Sequence, residues 1–224
     1  MGSDCTIQEL CTGLHECRSA LELTPQQAFT RSVVDARFAI MTVFDVRAIL
    51  RSDPLRWHLL GVVRALDLPD CWIGAGFVRN AIWDNLHQRP ASPLTGDVDV
   101  IWFDPERADP AEDQAYEAAL SRAEPTISWS VKNQSRMHVR NGDAPYSSAT
   151  DAMCYWPETA TAIAARRQGL NGCEIAAPFG IDDLVSLLLR PTPHFFGVKR
   201  NIYKDRVRTK GWTVTWPLLK EAET

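Results

Sequence analysis

Asp97-Val98-Asp99 is the pair of residues in this chain whose types and spacing could do chemistry. Residues two apart in a strand share one face, so both carboxylates would stand together and repel. A divalent cation relieves that repulsion, and hard carboxylate oxygens suit Mg²⁺ (or Mn²⁺) with a nucleotide phosphate as co-ligand. Upstream, Trp72-Ile73-Gly74-Ala75-Gly76 is a short apolar run entering a glycine turn, and Phe77 to His87 reads as a helix. Such a turn lets backbone N–H groups approach an anion, and the helix N-terminus adds positive partial charge. Gly74, Ala75 and Gly76 are therefore the candidate phosphate cradle, with Arg79 close by. Asp97 and Asp99 are the candidate catalytic and metal-binding pair. Lys132, Arg136 and His138 alternate on a strand-like segment after the acids and are candidate phosphate neutralisers.

The elements that must position these residues are mostly signalled. Val33 to Leu50 and Leu55 to Leu66 carry apolar residues at helical spacing, broken and capped by Ser52-Asp53-Pro54. Thr24-Pro25 reads as an earlier helix start. Asp97 to Phe103 alternates acid with apolar as a strand does, after a Pro- and Ser-bearing loop from Arg89 to Gly96. A helix follows Asp109-Pro110, then a strand over Thr126 to Val131, and a possible strand over Arg136 to Val139. Thr150 to Tyr155 reads as a short helix. Thr159 to Arg166 and Cys173 to Ala176 pair across Gly169-Leu170-Asn171-Gly172. Ile181 to Leu189 reads as a helix, and a basic helical segment occupies about 194–220. Strands and helices mix without a regular βαβ rhythm, so the expected class is α+β: a mixed sheet with flanking helices and helical N- and C-terminal additions. The expected division is a helical extension over 1–50 and one domain over 51–224.

Together these landmarks resemble a known family. AGFVRN, followed 17 residues later by DVDV, is similar to the nucleotidyltransferase superfamily typified by DNA polymerase beta. The local form is closest to the head of CCA-adding enzymes, which read Gly-Gly-x-Val-Arg-Asp and then Asp-h-Asp-h, with h apolar. The wider resemblance, over about 55–220, is to a small bacterial nucleotidyltransferase-like family, on GAGFVRNAIWD, DVDVIWFDP, WSVKNQSRMH and IAAPFGIDDLVSLLLRPTP. The resemblance implies transfer of a nucleoside monophosphate from an NTP to an acceptor hydroxyl with release of pyrophosphate. Asp97 and Asp99 would be the metal pair, with Arg79 matching the Arg of Val-Arg-Asp. Ala75 stands where a glycine is usual, and Asn80 replaces the Asp. A third carboxylate from a later strand is also usual. Here that strand offers only Asn133, with Asp104 at the far end of the acidic strand and Asp143 and Asp151 on loops. A catalytically degenerate nucleotide- or partner-binding protein is therefore the alternative.

Composition removes other classes. With 45% hydrophobic and 23% charged residues over 224, the chain is neither disordered nor fibrous. The net charge of −4 gives no global attraction to nucleic acid. Six basic residues between Lys199 and Lys210 form one local patch, which reads first as a solvated helix face. No run approaches the roughly 20 apolar residues a membrane helix needs, and no signal peptide is apparent, so a cytoplasmic protein is expected. Six cysteines without C-x-x-C read as reduced thiols, and Cys11, His15 and Cys17 match no zinc spacing. A dinucleotide-binding turn is disfavoured by Arg79 at its third glycine position. A phosphatase Asp-x-Asp is disfavoured by the loop residues Pro93-Leu94-Thr95-Gly96 before Asp97. The NTP is the expected partner, and the acceptor, a small molecule or an RNA, stays open.

Overall fold

In a computed structural model the described residues are 41–222. Cys5, Cys11, His15, Cys17, the Thr24 cap and the start of the Val33 to Leu50 helix lie outside them. The first described helices are α1 (Val43–Ser52) and α2 (Pro54–Arg64). The break between them has its expected cause. Asp53 Oδ1 accepts from Arg56 N at 3.0 Å, and Pro54 occupies the first turn, where its missing N–H costs nothing. The α1 helix packs on α2 and on α3 (Gly76–Leu86), the helix that follows β1 (Trp72–Gly74).

The core is a mixed five-stranded sheet in the order β3-β2-β1-β4-β5. β2 (Val98–Trp102) is antiparallel to β1 and parallel to β3 (Trp129–Asn133). The parallel pair requires a crossover, supplied by α4 (Pro110–Ala123), which packs on β3. Asp109 and Pro110 start α4 just as Asp53 and Pro54 start α2, with Asp109 Oδ1 accepting from Ala111 N at 2.8 Å. β4 (Ala164–Gln168) and β5 (Gly172–Ala176) form the expected hairpin. The α+β class with a mixed sheet and flanking helices is the architecture observed.

Two expected elements are different. The segment after β3 is not a strand: it turns through 134–136 into α5 (Met137–Asn141). Asn133 causes the turn. Its Oδ1 accepts from Ser135 N at 3.0 Å, while its Nδ2 donates to the Asp104 and Arg107 carbonyls at 2.8 and 2.9 Å. Lys132, Arg136 and His138 therefore do not share a strand face. The helix expected over Ile181 to Leu189 is shorter, α7 (Asp182–Val185), after α6 (Ala149–Met153). Leu187, at φ +56° and buried, ends it and starts β6 (Leu188–Leu189). β6 pairs in parallel with β7 (Lys220–Glu221), beyond the basic helix α8 (Arg200–Lys210) and the short α9 (Trp212–Thr215).

One buried carboxylate fixes how the C-terminal segment returns to the sheet. Asp84, on α3 and 1% exposed, accepts from Ser92 N at 2.6 Å, Ser92 Oγ at 2.9 Å and Trp216 Nε1 at 2.9 Å. It thus ties the 89–97 loop and the chain after α9 to one helix. Asp84→Ala would leave buried donors unpartnered and is expected to cost about 3 kcal/mol, read from urea unfolding at neutral pH.

Candidate functional site

β2 presents the acids as period-2 alternation requires. Val98, Val100 and Trp102 are buried, and Asp97, Asp99 and Ile101 alternate with them. The parallel register sets Asp99 opposite Ser130 and Ile101 opposite Lys132. One step earlier, Ser128 Oγ donates to Asp97 Oδ1 at 2.6 Å. Asp97 is exposed and Asp99 half-buried. Burial raises the Asp99 pKa, the charge of Asp97 raises it further, and Arg206, Lys210 and Arg79 oppose both. Asp99 makes no hydrogen bond to the described residues.

The glycine turn faces the same space. Gly76 and Phe77 open α3, where the first helical N–H groups have no intrahelical acceptor. Ala75 adopts φ +51°, ψ −120°, a conformation that suits glycine and strains a side chain. Its N–H donates to Ile163 O at 2.9 Å, and its carbonyl accepts from Arg79 N at 3.0 Å, which fixes the strained turn. Contact requires glycine at 74 and leaves little room for a side chain at 76. A Cβ on Gly74 would lie 2.7 Å from Trp156 Cη2, and one on Gly76 would lie 3.3 Å from Arg79 Nη2.

Arg79 is only 6% exposed. Its guanidinium lies 4.9 Å from the Trp83 ring centroid and 4.6 Å from that of Trp212, and it donates to Asn80 Oδ1. Burial lowers its pKa to about 10, with Glu158 and Asp99 opposing the drop, so it remains cationic at neutral pH.

These groups border two clefts. The larger, about 620 Å³, holds Asp97, Asp99, Gly76, Arg79 and, from α8, Arg206 and Lys210. The smaller, about 320 Å³, holds Ser130, Lys132, Arg140 and Trp156. Ala75, Asp99 and Arg206 line both. The structure thus brings together Asp97, Asp99, Ala75, Gly76 and Arg79, and places Gly74 beneath Trp156. Lys132 stands apart from that group, in the smaller cleft, with its Nζ 3.3 Å from Glu117 Oε2.

The donor set fits a hard divalent cation. Two carboxylates on one face meet an open cleft, and Mg²⁺ takes one or two carboxylates and fills its remaining positions with phosphate and water. Among the described residues no group of three or more His, Cys, Asp or Glu is placed to hold a metal. The residues considered as a third acid are committed elsewhere. Asn133 is fully buried on the opposite face of β3, where its side chain holds the turn that follows the strand. Asp104 Oδ1 accepts from Glu106 N at 2.9 Å. Asp143 accepts from Lys199 Nζ at 2.8 Å and Tyr146 at 2.6 Å. Asp151 accepts from Ser147 N at 2.8 Å.

A family profile described as Nucleotidyltransferase matches residues 61–220. The chain belongs to the nucleotidyltransferase family. A solved NMR structure, described as revealing a CCA-adding enzyme head domain, is similar at 32% identity and a TM-score of 0.73, covering 83% of this chain and 98% of that one. A structure of a tRNA-processing enzyme complex matches at 15% identity and a TM-score of 0.46, covering 73% of this chain and 42% of that one. No curated protein matches. Family and fold support an NTP-using transferase activity. No helix among the described residues is long and apolar enough to cross a membrane.

The larger cleft also draws on residues whose sequence pattern reads as a solvated face. Arg206 and Lys210 lie one helical turn apart on α8 and turn the same way, into the larger cleft. Glu158, fully buried, accepts from Arg206 Nε at 2.9 Å and from Thr161 Oγ1 at 2.7 Å, which fixes where Arg206 stands. The spacing of 206 and 210 within a basic run was the available signal.

Two predictions follow from strain and charge. Ala75→Gly relieves the positive φ and is expected to add about 1 kcal/mol of stability in denaturant unfolding. The raised Asp99 pKa means the folded state holds that proton more tightly than the unfolded chain, whose ordinary value is 3.8. Ionised Asp99 therefore costs stability at neutral pH, and the cost disappears below 3.8, where both states are protonated. Asp99→Asn is expected to melt higher than wild type at pH 7 without added metal, with the gap closing as the pH falls through that range.

Proposed function

We propose that the chain transfers a nucleoside monophosphate from a nucleoside triphosphate to an acceptor hydroxyl and releases pyrophosphate. The observation that carries this reading is the meeting of two acids, a helix N-terminus and three cations in one cleft. Asp97 and Asp99 line it together with the first turn of α3, Arg79, Arg206 and Lys210, and the three cations act on Asp99. A triphosphate has the charge to bridge them.

Asp97 and Asp99 would hold Mg²⁺ or Mn²⁺, which when bound neutralises charge on the phosphate oxygens and polarises the α-phosphorus. The N–H groups at Gly76 and Phe77 orient the phosphates, and the helix end contributes fixed positive potential without reorganising. Arg206 and Lys210 stabilise the negative charge gathering on the leaving pyrophosphate. The acceptor oxygen bonds to the α-phosphorus as the bond to the α,β-bridging oxygen breaks. The electron pair leaves with pyrophosphate, and the hydroxyl proton passes to water.

One observation favours a second reading, a nucleotide-binding protein without turnover. Ser130 occupies the β3 position opposite Asp99, where a third carboxylate would complete the acid cluster.

Pyrophosphate release from each of the four NTPs, with Mg²⁺ or Mn²⁺ and a metabolite extract or cellular RNA as acceptor, separates the two. Nucleotidyl transfer predicts release that falls roughly 100-fold or more in Asp97→Ala and in Asp99→Ala. Metal-dependent NTP binding with no release under any condition would establish the binding reading instead.

A further inference from the structure

The smaller cleft has a chemistry of its own. Resting on the nucleotidyl-transfer reading above, we propose that it is the acceptor site and takes a small phosphate monoester bearing a hydroxyl and a flat or apolar face: a nucleoside monophosphate or a sugar phosphate.

Position is the first argument. In-line displacement puts the incoming and leaving oxygens on opposite sides of the phosphorus. Asp99 and Arg206 are the boundary between the clefts, so an α-phosphate beside Asp99 in the larger cleft has the smaller one on its far side. A hydroxyl held there is placed for attack, and pyrophosphate departs toward Lys210.

The walls supply the second argument. Trp156 is half-buried, and its ring is seated over Gly74, where any Cβ would collide with it. Its indole N–H has no hydrogen bond to the described residues. An aromatic ring fixed in this way at a cleft wall is a platform for a base or for the C–H face of a sugar.

Charge is the third. Lys132, Arg140 and Arg206 line the cleft against one acid, Asp99. Arg206 is committed to Glu158, and Lys132 is partly answered by Glu117. Arg140 is exposed and has no hydrogen bond or ion pair to the described residues. A phosphate dianion is the group that satisfies Arg140 and Lys132 together while leaving a hydroxyl to point at Asp99. The volume, about 320 Å³, lies at the small end of ligand sites, roughly 300–1,000 Å³, and suits one small molecule.

The test is calorimetric titration of the full chain with AMP, ribose 5-phosphate and glucose 6-phosphate, beside adenosine, ribose and glucose. It is repeated in Arg140→Ala, Arg140→Lys and Trp156→Ala, each checked for folding by circular dichroism. Mg²⁺-NTP binding is measured separately for every variant. At least one ester is expected to bind, with its unphosphorylated partner and Arg140→Ala each weaker by roughly tenfold. Arg140→Lys recovers part of the loss, and Arg140→Ala weakens ester binding far more than NTP binding. Greater damage from Trp156→Ala to AMP than to the sugar phosphates identifies a nucleoside acceptor, and the reverse identifies a sugar phosphate. The proposal is overturned if no ester binds, if Arg140→Ala binds esters as wild type does, or if RNA 3′ ends alone are labelled from α-labelled NTP. Ester binding that depends on Arg140, without NTP binding, would overturn nucleotidyl transfer and leave a phosphate-ester site.

Discussion

Asp99 on β2 and Asp97 just before it repel each other, and partial burial of Asp99 makes that repulsion expensive. The positive charge that answers it comes from sequence-distant places: Arg79 on the helix after β1, and Arg206 and Lys210 on the C-terminal helix. Both arginines are held in place. Arg79 lies between Trp83 and Trp212, Arg206 is held by buried Glu158, and Asp84 binds Trp216 back to α3. Trp83, Trp212 and Trp216, far apart in sequence, therefore share one task beside the acids. Trp83 packs edge-on against both Trp212 and Trp216, at 5.9 and 5.1 Å. The apolar packing sets the separation of the charges.

What could be read from the chain depended on range. Alternation around Val98 and Val100 placed both acids on one face, because a strand's parity is a local property. Asp53-Pro54 and Asp109-Pro110 marked helix starts for the same reason: a cap and its helix lie within four residues. Arg206 and Lys210 were different. Their spacing described a helix face, but whether that face met water or the acids depended on the return of the chain after β5, which no local pattern encodes. The basic run was therefore legible as a helix and not as a wall of the cleft.

Asn133 shows a subtler failure. Judged by residue type it was the nearest substitute for a missing acid on the strand beside the pair. Parity places it with Trp129 and Val131, on the buried face, where it serves as a hinge that bends the chain out of the sheet. The same bend converts the alternating Arg136 and His138 into helix, so one polar side chain overrides the strand pattern beyond it. At the matching position on the site face stands Ser130. Ala75 is a comparable departure: the backbone takes a glycine-type conformation while the residue carries a methyl group.

Asp99 and Arg206 belong to both clefts at once, so neither cleft is electrically independent. A ligand that changes the charge on one side changes the work of binding on the other, with no movement of the backbone. Thermodynamic linkage makes this influence reciprocal: the factor by which a first ligand alters the affinity of a second equals the factor in reverse. An anion drawing on Arg206 from either side leaves less of its field for the opposite side, whereas a cation at Asp99 favours anions on both. The affinities of the two clefts are then coupled through a shared pair of side chains.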